Sequence, residues 1–193
     1  MSFINIFTVT LTLFAVIDML GNIPLIIKLR KEHGHIQSFK GSLIATLIML
    51  SFLFGGEYLF NLLHLEISYF AIAGSFLLLV FGFRMVLGIE DSSSGKTAMN
   101  ATVFPIAFPL IAGPGTLSTI ISLRSDFSMI EISLGILINA IFIFIVLKSS
   151  SWIQNKMGEA GITIMERVFG LILIAIGMKM LITNLVTSIN SLI

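Results

Sequence analysis

Two short motifs hold most of the polar chemistry in this sequence. Asp18-Met-Leu-Gly21-Asn22-Ile-Pro24 places a carboxylate, a carboxamide, a glycine and a proline close together. Pro109-Leu-Ile-Ala-Gly113-Pro114-Gly115-Thr116, preceded by Phe104-Pro105, does the same with hydroxyl and backbone groups. All four prolines of the chain lie in these two segments. Proline lacks an N–H and clashes with the preceding helical turn, while glycine accepts the irregular backbone that results. Each motif should therefore break a helix and free N–H and C=O groups. Pro24 and Pro114 suit the start of a new half-helix, with Asn22 or Gly113 as cap. The N–H groups there carry the positive end of the helix dipole and are suited to an anion such as a carboxylate. Thr116, Ser118 and Thr119 add hydroxyls. Asp18 could take an ammonium group or a coupling proton; it could equally cap the break by accepting N–H from Leu20 or Gly21. The plainer reading of both motifs is a packing kink, but they are polar as well as bent, which favours binding.

The surrounding chain decides what these breaks are embedded in. Hydrophobic residues make up 56% of the 193 residues and charged ones 11%, against roughly 25% charged in a soluble domain. That excludes a soluble globule or a disordered chain, and a net charge of +1 excludes a nucleic-acid binder. The absence of cysteine removes thiolate metal sites, disulfides and thiol nucleophiles. The expected class is an all-α polytopic membrane protein whose main partner is the lipid bilayer. A span needs roughly 20 apolar residues, and six stretches qualify: Phe3–Ile27, Gly41–Leu63, Ser68–Ile89, Thr102–Leu123, Ile130–Leu147 and Val168–Thr187. Six such runs, the first without a basic leader, are not a signal peptide, and little chain is left for a soluble catalytic domain.

Of the 11 Lys and Arg, Lys28, Arg30, Lys31, Lys40, Arg84, Lys96, Lys148, Lys156 and Arg167 fall on one side of this arrangement, leaving Arg124 and Lys179 for the other. The positive side is cytoplasmic by the loop-charge rule, so both termini should be periplasmic. The two motifs also correspond to each other. A displacement of 94 residues sets Phe14 on Phe108, Ile17 on Ile111, Gly21 on Gly115 and Arg30 on Arg124, and a displacement of 95 sets Gly82 on Gly177. Three spans per half make the halves enter the membrane in opposite senses. The expected architecture is a single transmembrane domain over 1–193, with repeat one at 1–90, linker 91–101, repeat two at 102–193, and broken helices one and four. Inverted repeats of this kind place substrate near the midplane, where discontinuous helices meet.

Other polar features have plainer explanations. Glu57, Arg84 and Lys179 read as side chains snorkelling towards the interface. Gly95-Lys96-Thr97 lacks the first glycine and the strand of a phosphate loop. Ser92-Ser93-Ser94-Gly95 reads as a linker, and His33 and His35 as a solvated loop. No metal, cofactor or catalytic residue is expected, so an enzyme is disfavoured.

At the paired motifs the sequence resembles the MarC family of bacterial inner-membrane proteins, across essentially the whole chain. That family is similar to the lysine-exporter superfamily and carries Asp-Pro-x-Gly-Asn-x-Pro and Pro-Leu-x-Ala-Gly-Pro-Gly. The second pattern is complete here as Pro109–Gly115; the first has Met19 in place of the usual proline. The resemblance implies an inner-membrane secondary transporter or exporter of small neutral amino acids such as glycine and alanine; Asp18 leaves open coupling to a proton or other ion. The implied substrate-binding residues are Asp18, Gly21, Asn22, Pro24, Gly113, Pro114, Gly115 and Thr116. The alternative is a structural or assembly factor of the membrane, which needs no polar core.

Overall fold

A computed structural model describes residues 2–19, 21–33, 36–89 and 102–192. The linker 91–101, Leu20 and His35 lie outside the described residues. The described residues are predominantly helical: α1 Phe3–Ile17, α2 Ile23–His33, α3 Ser38–Leu62, α4 Ile67–Leu87, an irregular wide-turn segment Thr102–Ile111, α5 Pro114–Leu123 and α6 Met129–Leu192. Among the described residues, four helical stretches are long and apolar enough to cross a membrane: Ser38–Leu63, Ile67–Leu87, Met129–Ser150 and Gly161–Asn190. The bent pair Thr102–Ile111 and Pro114–Leu123, meeting at 48°, makes a fifth when taken as one crossing. Phe3–Ile17 is apolar but shorter.

The continuous helical run of α6 hides a reversal. A straight helix of its 64 residues would be about 96 Å long. Phe142 packs edge-on against Phe14 with ring centroids 5.6 Å apart. Met180 Sδ and Val16 Cγ1 stand 3.7 and 3.9 Å from where a Cβ on Gly115 would lie. Phe14 and Val16 are neighbours on α1, whereas Phe142 and Met180 would be about 57 Å apart along a straight helix. The run therefore doubles back between its arms Met129–Ser150 and Gly161–Asn190. The Leu147 carbonyl, taken by Arg30 Nη2 at 3.0 Å and Ser150 Oγ at 2.8 Å, lies near the end of the first arm.

Contacts along the helices fix their relative directions. α1 runs parallel to the first arm of α6: Ser2 N–H and Asn5 Nδ2 donate to Glu131 Oε1, and Asn139 Nδ2 donates to Thr10 O at 3.1 Å. α3 runs parallel to the segment 102–123, with Gly41 beside Thr102 and Gly56 beside Ile121. α4 runs antiparallel to the second arm of α6. Gly82 faces Gly170 and Ile174, while Gly177 faces Ser75 and Leu79, close enough that a Cβ on Gly82 would lie 2.7–3.0 Å from its neighbours. The core between these helices is aliphatic and includes Leu13, Ile17, Met49, Leu53, Ile106, Leu117, Ile120 and Ile136. Large apolar side chains such as Phe7, Phe54, Phe76 and Ile141 point outward, as lipid-facing positions of a bundle should.

Both polar ends of the fold are closed by side chains. At one end, Glu131 forms a reciprocal cap with Ser128: Ser128 N–H donates to Glu131 Oε2 at 3.1 Å and Glu131 N–H donates to Ser128 Oγ at 3.4 Å. At the same level, Arg124 pairs with Glu57 at 2.8 Å. At the other end, Lys28 and Arg30 are buried within α2. The segment after Ile27 is thus helix to His33 rather than loop, and the stretch 29–40 is mostly ordered into α2 and α3. Lys28 Nζ donates to the carbonyls of Ile89 at 3.2 Å and Arg84 at 3.4 Å. Both cations thus meet carbonyls at helix ends, where positive charge is favoured.

Candidate binding site at the helix breaks

The two motifs break the backbone in different ways. Phe104 (φ −127°, ψ 121°) and Phe108 (φ −137°, ψ 133°) are extended, as residues before proline must be. The Pro109 carbonyl then approaches Gly113 so closely that a Cβ there would collide with it. Pro114 takes the first position of α5 with Gly113 as its N-cap. In the first motif, α1 ends at Asp18, which adopts the left-handed conformation (φ 45°, ψ 50°) that Asp tolerates better than most residues. Its N–H donates to Phe14 O at 3.2 Å and its carbonyl accepts from Asn22 N–H at 3.1 Å. Its Oδ1 accepts from Gly21 N–H at 3.2 Å. A Cβ on Gly21 would run into the Asp18 carboxylate, so a larger residue there would have to displace that side chain from its hydrogen bond to the residue 21 N–H. Pro24 is buried in the first turn of α2.

The freed carbonyls are answered by side chains in matching positions. Asn22 Nδ2 donates to Ile17 O at 3.0 Å, and Thr116 Oγ1 donates to Ile111 O at 3.0 Å. Both donors are almost fully buried. These side chains therefore serve the carbonyl end of the break, not the N–H end for which Asn22 is a candidate cap by sequence. Ser118 Oγ and Thr119 Oγ1 likewise turn back to carbonyls of their own helix, at 2.6 and 2.8 Å. What remains open is backbone: the first N–H groups of α5 at Gly115 and Thr116 have no acceptor within the helix.

Both breaks open onto one cavity of about 470 Å³, within the range of small-molecule sites. Asp18, Asn22, Gly113, Pro114, Gly115 and Thr116 line it; Gly21 and Pro24, expected there from sequence, do not. The second arm of α6 closes the cavity with Leu173, Ile176, Lys179, Met180, Thr183 and Asn184. From sequence only Lys179 stands out, as a snorkelling side chain, although the three- and four-residue spacing of the group marks one helix face. The apolar wall is aliphatic, with Val16, Leu78 and Leu110, and contains no phenylalanine. Among the described residues no cluster of His, Cys, Asp and Glu could hold a metal ion.

The family model described as "MarC family integral membrane protein" matches residues 3–189. An "UPF0056 membrane protein" of Buchnera aphidicola subsp. Baizongia pistaciae is 29% identical, over 93% of this chain and 92% of its own length. The "UPF0056 inner membrane protein YhgN" of Escherichia coli K12 is 30% identical over 91% of this chain and 93% of its own. A "UPF0056 membrane protein" of Pyrococcus abyssi is 29% identical over 90% of each. No solved structure matches.

Proposed function

The chain belongs to the MarC family of integral membrane proteins, and on that premise we propose that it is a secondary transporter of small neutral amino acids in the inner membrane. The observation that carries this reading is the meeting of two polar helix breaks at a single cavity. Irregular backbone inside a bilayer is tolerated where it is buried in protein or lines a polar cavity. In this reading the substrate carboxylate approaches the N–H groups of Gly115 and Thr116, and Asp18 serves its ammonium group or carries a coupling proton. The aliphatic wall suits a small apolar side chain.

Six crossings in two inverted repeats, with both termini periplasmic by the distribution of Lys and Arg, complete the reading, and several contacts support the repeat. Broken helix one comprises α1 and α2; broken helix four comprises Thr102–Ile111 and α5. Moving by 94 residues takes the Asn22–Ile17 hydrogen bond onto the Thr116–Ile111 one. Moving by 95 exchanges the contact of Gly82 with Ile174 for that of Gly177 with Leu79, and Gly82 with Gly170 for Gly177 with Ser75. That exchange is what a two-fold axis between α4 and the second arm of α6 requires. The relative helix directions also alternate as six crossings demand.

The competing reading, a non-transport structural or assembly factor, draws on one observation. Asp18, Asn22 and Thr116 each already make a hydrogen bond that holds a break together. Purified protein in proteoliposomes, assayed for flux of glycine, alanine and larger amino acids, separates the two. Transport of small zwitterions that Asp18→Asn slows, or whose pH dependence it changes, supports the transporter. A folded protein that moves none of the panel sinks it.

A further inference from the structure

The central cavity carries one carboxylate and one ammonium group, contributed by different helices. Asp18 stands where α1 ends and Lys179 stands on the second arm of α6; the remaining lining residues are neutral. Lys179 is exposed on the face of that arm which lines the cavity. Asp18 is held in place by the Gly21 N–H. Among the described residues no hydrogen bond or ion pair engages the Lys179 ammonium. A single charge at the centre of a span costs about 2.5–3.5 kcal/mol on insertion scales, so a chamber holding two opposite charges wants a reason for both.

We propose that Lys179 is a substrate-binding residue which, together with Asp18, selects a zwitterion. This rests on the transporter reading and deepens it. The ligand's ammonium group meets Asp18, and its carboxylate meets Lys179 with the N–H groups of Gly115 and Thr116. A cation or an anion alone leaves one of the two cavity charges without a partner, and is disfavoured for that reason. Thr183, one turn after Lys179, extends the polar end of the wall. Leu173 and Ile176, on the preceding turns of the same face, form the apolar end that receives a short side chain.

The test compares three probes of similar size: alanine (a zwitterion), alaninamide (a cation) and propionate (an anion). Flux is measured in proteoliposomes, and binding by ligand-dependent thermal stabilisation in detergent. Wild-type protein should prefer alanine by both measures. Lys179→Gln should weaken alanine by about 10- to 100-fold, the worth of a charged hydrogen bond, and raise alaninamide relative to it. Asp18→Asn should move the preference towards propionate, and Lys179→Arg should keep alanine first. A Lys179 that only supports the fold would lower thermal stability without reordering the three probes. If Lys179→Gln moves alanine with wild-type affinity and the same order, the proposal is overturned and the transporter reading stands. If wild-type protein neither transports nor is stabilised by any small zwitterion, glycine included, both are overturned.

Discussion

Replacing Thr116 with Val changes shape very little but deletes one hydroxyl. That hydroxyl is the donor to Ile111 O at 3.0 Å, and Thr116 is 3% exposed. The irregular backbone around Pro109 and Pro114 leaves no helical N–H to replace it, because the residue four positions on is Gly115 and its N–H does not bond the Ile111 carbonyl. A buried acceptor stripped of its partner costs about 1–3 kcal/mol, so Thr116→Val should lose that much stability. Asn22→Leu should lose a similar amount, since Asn22 is 4% exposed and serves Ile17 O at the same distance. Thr116→Ser keeps the donor and should recover most of the loss. The assay is reversible unfolding in mixed micelles, followed by far-UV circular dichroism. Matching losses at the two sites are the outcome that equivalent breaks require. A loss below about 0.5 kcal/mol, the range of an ordinary surface change, for both Thr116→Val and Asn22→Leu would refute the reasoning.

The two glycines flanking Pro114 should respond oppositely to alanine. Gly113→Ala forces a methyl into the Pro109 carbonyl and should cost about 1–3 kcal/mol of overpacking. Gly115→Ala meets only ordinary contacts with Met180 and Val16, so it should fold normally and, by narrowing the cavity, slow larger substrates before smaller ones. Thermal unfolding beside a flux panel reads both. Ser128→Ala removes one half of the cap on α6 and should lower stability by about 1 kcal/mol, seen as a lower unfolding midpoint with flux retained. A reporter fused after residue 193 should report a periplasmic C-terminus; a cytoplasmic signal would contradict the six-crossing arrangement.

How far the site could be read from sequence depends on which groups carried the information. Proline and glycine restrict the backbone locally, so Pro109, Gly113 and Pro114 announced their break without any knowledge of neighbours. Pro24 did so with Met19 in place of a second proline, because Asp18 turns the chain through its own left-handed backbone and the Gly21 N–H. What sequence could not give was the partner of each polar group. Asn22 and Thr116 look like free caps and binding hydroxyls, yet their donors are consumed by Ile17 and Ile111. Only the fold shows that the break leaves carbonyls as well as N–H groups to satisfy.

Charges were misread for a related reason. Hydropathy places Lys28 and Arg30 beyond the first span, in a basic loop, because composition registers a cation only as a cost. In the fold they are buried on α2, where the helix ends at Arg84, Ile89 and Leu147 supply carbonyl acceptors. Glu57, a snorkelling candidate by sequence, is exposed and in addition has Arg124 as partner. Arg30 and Arg124, 94 positions apart, have different partners: Arg124 ties α5 to a carboxylate on α3, and Arg30 ties α2 to a backbone carbonyl on α6. A carboxylate can exchange its partner for water at low cost when half exposed, as Glu57 is. A buried guanidinium on a carbonyl cannot. If the halves of the broken helices move during transport, the α5 end is therefore the easier one to release.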